Sequence, residues 1–152
     1  MRKRTLGLAA AASGAVLAAP IAAEPVAFDA SLLATCSLIV SDGALAPNTD
    51  YTSLSSENSG GAAATVTVTA LGSDPTLSFG APTITSTNDV SGISPQIRYT
   101  SLDGASQAYT SAQSTSTSSD LADVYTVHAK AEDPGGFAAG DYSIVTVVTC
   151  SG

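Results

Sequence analysis

The sequence predicts an all-β chain: an immunoglobulin-like antiparallel β-sandwich behind an N-terminal signal peptide. Three observations carry that expectation. Beyond residue 24 the hydrophobic period is two, and Val, Thr, Ile, Tyr and Ser dominate, which is strand composition. Turn-forming groups recur between the apolar runs, at Asp42-Gly43, Ser59-Gly60-Gly61, Gly72-Ser73-Asp74-Pro75, Asp103-Gly104 and Asp133-Pro134-Gly135-Gly136. Short strands at that spacing suit a sandwich, and the lack of a fixed-period repeat argues against a solenoid or propeller.

The first 23 residues have the layout of a secretory signal. Arg2-Lys3-Arg4 is a positive start, Leu6 to Ala19 an apolar core, and Ile21-Ala22-Ala23 a cleavage site. The apolar core is shorter and richer in alanine than a membrane span of about 20 strongly apolar residues. Residues 24–152 are then expected as one exported sandwich domain, located in the periplasm, at the cell surface or outside the cell. Cleavage removes three of the five basic residues and leaves Arg98 and Lys130 against 13 acidic ones. Two cations cannot neutralise a run of phosphates, so nucleic acid and anionic membrane surfaces are excluded as partners.

Cys36 and Cys150 are the two cysteines. In an oxidising compartment they are expected to form one disulfide closing almost the whole exported chain. A loop of that length stabilises by about 4–5 kcal/mol in the chain-entropy model. The bridge requires the start of the first core strand to lie beside the end of the last. If those two strands are neighbours in one sheet, they run antiparallel.

Each strand has its own signature. Residues 26–40 keep one phase, with Val26, Phe28, Ala30, Leu32, Ala34, Cys36, Leu38 and Val40 on one face. A break near Leu33-Ala34 makes residues 24–34 a separate N-terminal arm whose apolar face is Val26, Phe28, Ala30 and Leu32. Residues 64–70 alternate Val66 and Val68 against threonines. Residues 77–85 form a strand in which Gly80 and Pro82 indicate a bulge or an edge. Residues 93–100 form another, placed at an edge by Pro95. The stretch 110–119 is a Ser/Thr run with almost nothing to bury, expected as a loop or frayed edge strand. In residues 124–131, Tyr125, Val127 and Ala129 share one face. Residues 142–150 are apolar on both faces, which predicts a central, covered strand.

No catalytic or metal site is assigned. His128 is the single histidine, placed beside Lys130 and Thr126 on a strand face, and no G-x-S-x-G elbow accompanies it. Most aspartates sit in turns, where their own backbone uses them. Asp120 with Asp123, or Asp133 with Asp141, are spaced to meet across loops, but no D-x-D-x-D-G calcium loop is present and no cofactor is expected. The T-x-T rows lack the regular repeat of an ice-binding array and read as solvent-facing strand threonines.

Two segments resemble bacterial fimbrial subunits and spore-coat-U-like secreted proteins. They are Phe28-Asp-Ala-Ser-Leu-Leu-Ala-Thr-Cys36-Ser-Leu and Ala139-Gly140-Asp-Tyr142-Ser-Ile-Val-Thr-Val-Val-Thr149. The first is similar to those families' alternating strand leading into an early cysteine, the second to their terminal G-x-Y strand. The chain departs from them in pairing its early cysteine with one at the far end. The resemblance implies a fold lacking one strand, filled by the N-terminal arm of a neighbouring copy, with a periplasmic chaperone and an usher as further partners. The function expected is therefore a non-enzymatic structural subunit, fimbria-like or coat-like. The alternative is a secreted monomeric binding module for carbohydrate or another surface ligand, for which the chain has five Tyr, three Phe and no Trp.

Overall fold

In the computed structural model, alternation in the sequence becomes antiparallel pairing throughout. The structure describes residues 30, 34–72, 74–118 and 121–151. Among them there are twelve strands and no helix. The expected signal peptide and the expected arm residues Val26, Phe28 and Leu32 lie outside the described residues, and Ala30 is exposed.

The largest sheet is built on β10 (Ala122–Glu132). One of its edges pairs with β4 (Ala64–Leu71) and then with β3 (Ser53–Ser55), in register Tyr125 to Val66 and Ala131 to Leu54. The other edge pairs with β7 (Gln96–Ser101), which carries β8 (Ser106–Thr110). Outside β4 lies β1 (Thr35–Ser41), and outside β3 lies β2 (Ala46–Pro47). An Ala44–Ala62 bridge joins those two pairings. Gly43 makes it possible, because a Cβ there would stand 2.6 Å from the Ala62 carbonyl oxygen.

The remaining strands form a three-stranded and a two-stranded sheet. β5 (Thr76–Phe79) pairs with β9 (Ser114–Thr117) on one side and β12 (Val148–Ser151) on the other. β6 (Thr83–Ser86) pairs with β11 (Tyr142–Val145). The expected interruption at Gly80 and Pro82 is there: β5 ends at Phe79, β6 starts at Thr83, and the Gly80 N–H donates to the Val147 carbonyl between the two ladders.

The buried cluster draws on both groups of strands. Val66, Val68, Ile97, Tyr99, Tyr125 and Val127 come from the large sheet, and Leu77 and Phe79 from β5. Phe79 stacks on Tyr99 at 4.3 Å between ring centroids, and Tyr125 meets both rings at 5.7 Å. Such pairs add about 0.5–1.5 kcal/mol beyond the area they bury.

Three expectations are corrected. The strand after Pro95 is not an edge, because Pro95 precedes β7 and leaves its donors free to pair with both β10 and β8. The Ser/Thr run does supply an edge strand, β9, which pairs only with β5 among the described residues, but it is not without buried groups, since Ser116 and Ser118 are buried. Hydroxyls can enter a core when bonded, and Ser116 Oγ lies 2.9 Å from the Tyr125 hydroxyl. The last segment is not a central covered strand. It splits into β11 and β12, and among the described residues each pairs on one side only.

Candidate functional site

The two cysteines are joined, Cys36 in β1 to Cys150 in β12, with Cα atoms 6.0 Å apart. The strands lie in different sheets, so the bridge ties two sheets rather than two neighbours of one ladder. A disulfide is what an oxidising, extracytoplasmic compartment maintains. Among the described residues no helix is long and apolar enough to cross a membrane.

From that bridge two strand edges diverge. Among the described residues β1 pairs only with β4, and β11 and β12 only with β6 and β5. Both edges carry bare apolar side chains: Ile39 is 69% and Val40 56% exposed on one, Val145 52% and Val147 66% on the other. The even-numbered phase of the first strand holds for Cys36 and Leu38, which pack on the core, and continues to Val40, which lines an open hollow and stays 56% exposed.

Between the edges runs a trough. Nearest the disulfide is a 440 Å³ hollow lined by Val40, Val66, Val127, Val145 and Val148. It narrows to a 110 Å³ waist whose walls include Ala44, Ala62, Ala64 and Ala129. The two share Gly43, Ala64, Val127, Ile144 and Thr146. Leu45 then connects the waist to a 610 Å³ hollow lined by Pro47, Tyr51, Leu54, Phe137 and Tyr142. Tyr51 holds φ at +56°, a conformation that costs a non-glycine residue about 1–3 kcal/mol. Its carbonyl accepts the Phe137 N–H at 2.7 Å, which ties the two loops around this hollow.

A polar cluster occupies β7, β8 and β10 and the end of β3. The Arg98 guanidinium donates to both carboxylate oxygens of Glu57, and the Tyr109 hydroxyl donates to Oε2. Those bonds, Arg98 first, hold the Glu57 carboxyl down at about 2. Burial, then the Glu57 bond, pushes the Tyr109 hydroxyl up. Arg98 and Lys130 both approach the Tyr109 ring, at 5.6 and 4.8 Å from its centroid. His128 Nδ1 lies 3.1 Å from Ser56 Oγ, and that oxygen also accepts the Ala129 N–H. The pair fastens the end of β3 to β10. The Glu57–Arg98–Tyr109 group was missed in the sequence, because its members lie 41 and 52 positions apart and carry no local pattern.

No protein-family model, curated protein or solved structure matches this chain.

Proposed function

We propose that this protein is an exported, non-enzymatic structural subunit, fimbria-like or coat-like, whose immunoglobulin-like sandwich lacks one strand and receives it from another copy. The observation that carries the reading is the trough between the two unpaired edges. An edge strand exposes a row of N–H and C=O groups and invites a further strand. Here two such edges face the same apolar cleft, joined at one end by Cys36–Cys150.

The sequence contains a matching insert. Strand residues two apart repeat on one face every ~6.8 Å. The arm offers Phe28, Ala30 and Leu32 in that spacing. Along the last strand the trough measures 610, then 110, then 440 Å³. Phe28 fits the aromatic hollow beside Tyr142, Ala30 the alanine-walled waist, and Leu32 the valine-lined hollow, with Val26 beyond the mouth. In that register Phe28 stands opposite Leu45–Pro47. A tight hairpin turning at residues 33–34 would bring a chain's own Phe28 only as far as its own Ile39. The register therefore favours a second copy. A subunit open in this way needs a temporary occupant before assembly, the role a periplasmic chaperone and usher would fill.

The competing binding-module reading draws on the hollow formed by Tyr51, Phe137 and Tyr142. Deletion of residues 24–33 from the exported chain separates the two, followed by light scattering and circular dichroism. The subunit reading predicts a folded monomer, as stable as the isolated full-length monomer, that no longer assembles. A full-length chain that is monomeric throughout, and that unfolds on deletion, would make the arm an ordinary first strand.

A further inference from the structure

At the opposite end of β10 from the Tyr51 loop, the turn between β7 and β8 meets the start of that strand, where the Leu102 N–H donates to the Val124 carbonyl. Asp123 enters β10 there with 3% of its surface exposed. Its Oδ1 accepts the backbone N–H groups of Asp103, at 3.2 Å, and Val124, at 2.7 Å. Its Oδ2 is buried and has no hydrogen-bond partner. A buried ionised carboxylate is costly unless it is paired or binds a metal. Protein counter-charge is committed elsewhere. Among the described residues the strong cations are Arg98 and Lys130, and these pair with Glu57 and Glu132.

The surroundings are rich in oxygen. Ser116 Oγ bonds the hydroxyl of Tyr125, two residues along β10 from Asp123. Burial pushes that hydroxyl up, and the nearby charges of Asp123 and Asp103 push it further. Asp103 sits in a tight turn in which Gly104 takes φ +94° and the Ser101 N–H donates to the Ala105 carbonyl. The turn thus brings the backbone of a second acidic residue against the Asp123 carboxylate.

We propose that this end is a calcium site, with Asp123 Oδ2 as its buried anchor and Asp103 as its second carboxylate. Hydroxyl and carbonyl oxygens and water complete the shell, as suits a hard cation with six to eight oxygen ligands. Among the described residues no three acidic or imidazole side chains converge. Two carboxylates place the site in the weak class of extracellular modules, with Kd about 10⁻⁴–10⁻³ M.

The test is thermal unfolding of the exported chain in Ca²⁺, in Mg²⁺ and in chelator, with calorimetric titration of Ca²⁺ alone. At 10 mM Ca²⁺ the midpoint is expected to rise by about 5 °C over chelator, and less in Mg²⁺. Asp123→Asn keeps the shape and the Oδ1 acceptor and is expected to abolish the rise while remaining folded. Asp103→Asn is expected to weaken binding about tenfold, and Asp42→Asn to leave it unchanged. No rise in the wild-type chain, or the same rise in Asp123→Asn, overturns the proposal. Neither result bears on assembly through the trough, which involves other residues.

Discussion

The β5 side of the core and the trough side use the same kinds of residue and end in opposite states. On the β5 side, Val66, Val68, Tyr99 and Tyr125 are closed over by Leu77 and Phe79, and all six side chains are buried. On the trough side, Ile39, Val40, Val145 and Val147 are as apolar, and each is more than half exposed. Composition cannot separate the two. What differs is pairing: β5 has neighbours on both edges, whereas β1, β11 and β12 have one each among the described residues. A strand's burial is thus decided by the count of its neighbours as much as by its own alternation.

Mutations should expose that contrast. Phe79→Ala removes a fully buried ring from the stack with Tyr99 and is expected to cost about 3–5 kcal/mol in denaturant unfolding. Val147→Lys, on the free edge, is expected to change monomer stability by less than about 0.5 kcal/mol and to abolish assembly. Equal costs at the two positions would mean that the trough is closed in solution.

Next in size is the bridge. Replacing both Cys36 and Cys150 with Ser is expected to cost about 2–5 kcal/mol, measured by unfolding with and without reductant. Because the bridge joins the two open edges, amide exchange should rise first in β1 and β12. A uniform rise across all strands would show that the bridge acts only on the unfolded chain.

The smallest effect belongs to the surface cluster. The Glu57 carboxyl is lowered from 4.5 to about 2, so its bonds stabilise the fold above pH 4.5 and are lost as pH falls through 2. Glu57 and Arg98 are each about a third exposed, which keeps the contribution within about 1 kcal/mol. Glu57→Gln should therefore lower the unfolding midpoint slightly at pH 7 and match the wild type near pH 2. A deficit that persists there would assign the loss to packing.

Much of the fold was legible from alternation. Residues 64–70 and 124–131 carry their phase openly and became β4 and the middle of β10. The disulfide followed from counting cysteines and from the oxidising compartment expected for the chain. The last strand misled because its two apolar faces have different causes. Ile144, Val145 and Val148 line the trough wall, while Val147, between the two ladders, is 66% exposed. Periodicity reports which side chains are apolar and is silent on whether a neighbour arrives. Ser116 and Ser118 were missed for a related reason: a polar run says nothing of a hydroxyl partner supplied by a distant tyrosine.

The central claim is that the trough accepts the strand carried by residues 24–34. Its most direct test is binding of that peptide, in trans, to residues 34–152, followed by amide exchange. The account predicts saturable binding with new protection confined to β1, β2, β11 and β12. It also predicts loss of binding when Ala30 in the peptide becomes Trp, which cannot enter the 110 Å³ waist. Protection elsewhere, or equal binding of the Ala30→Trp peptide, would contradict it.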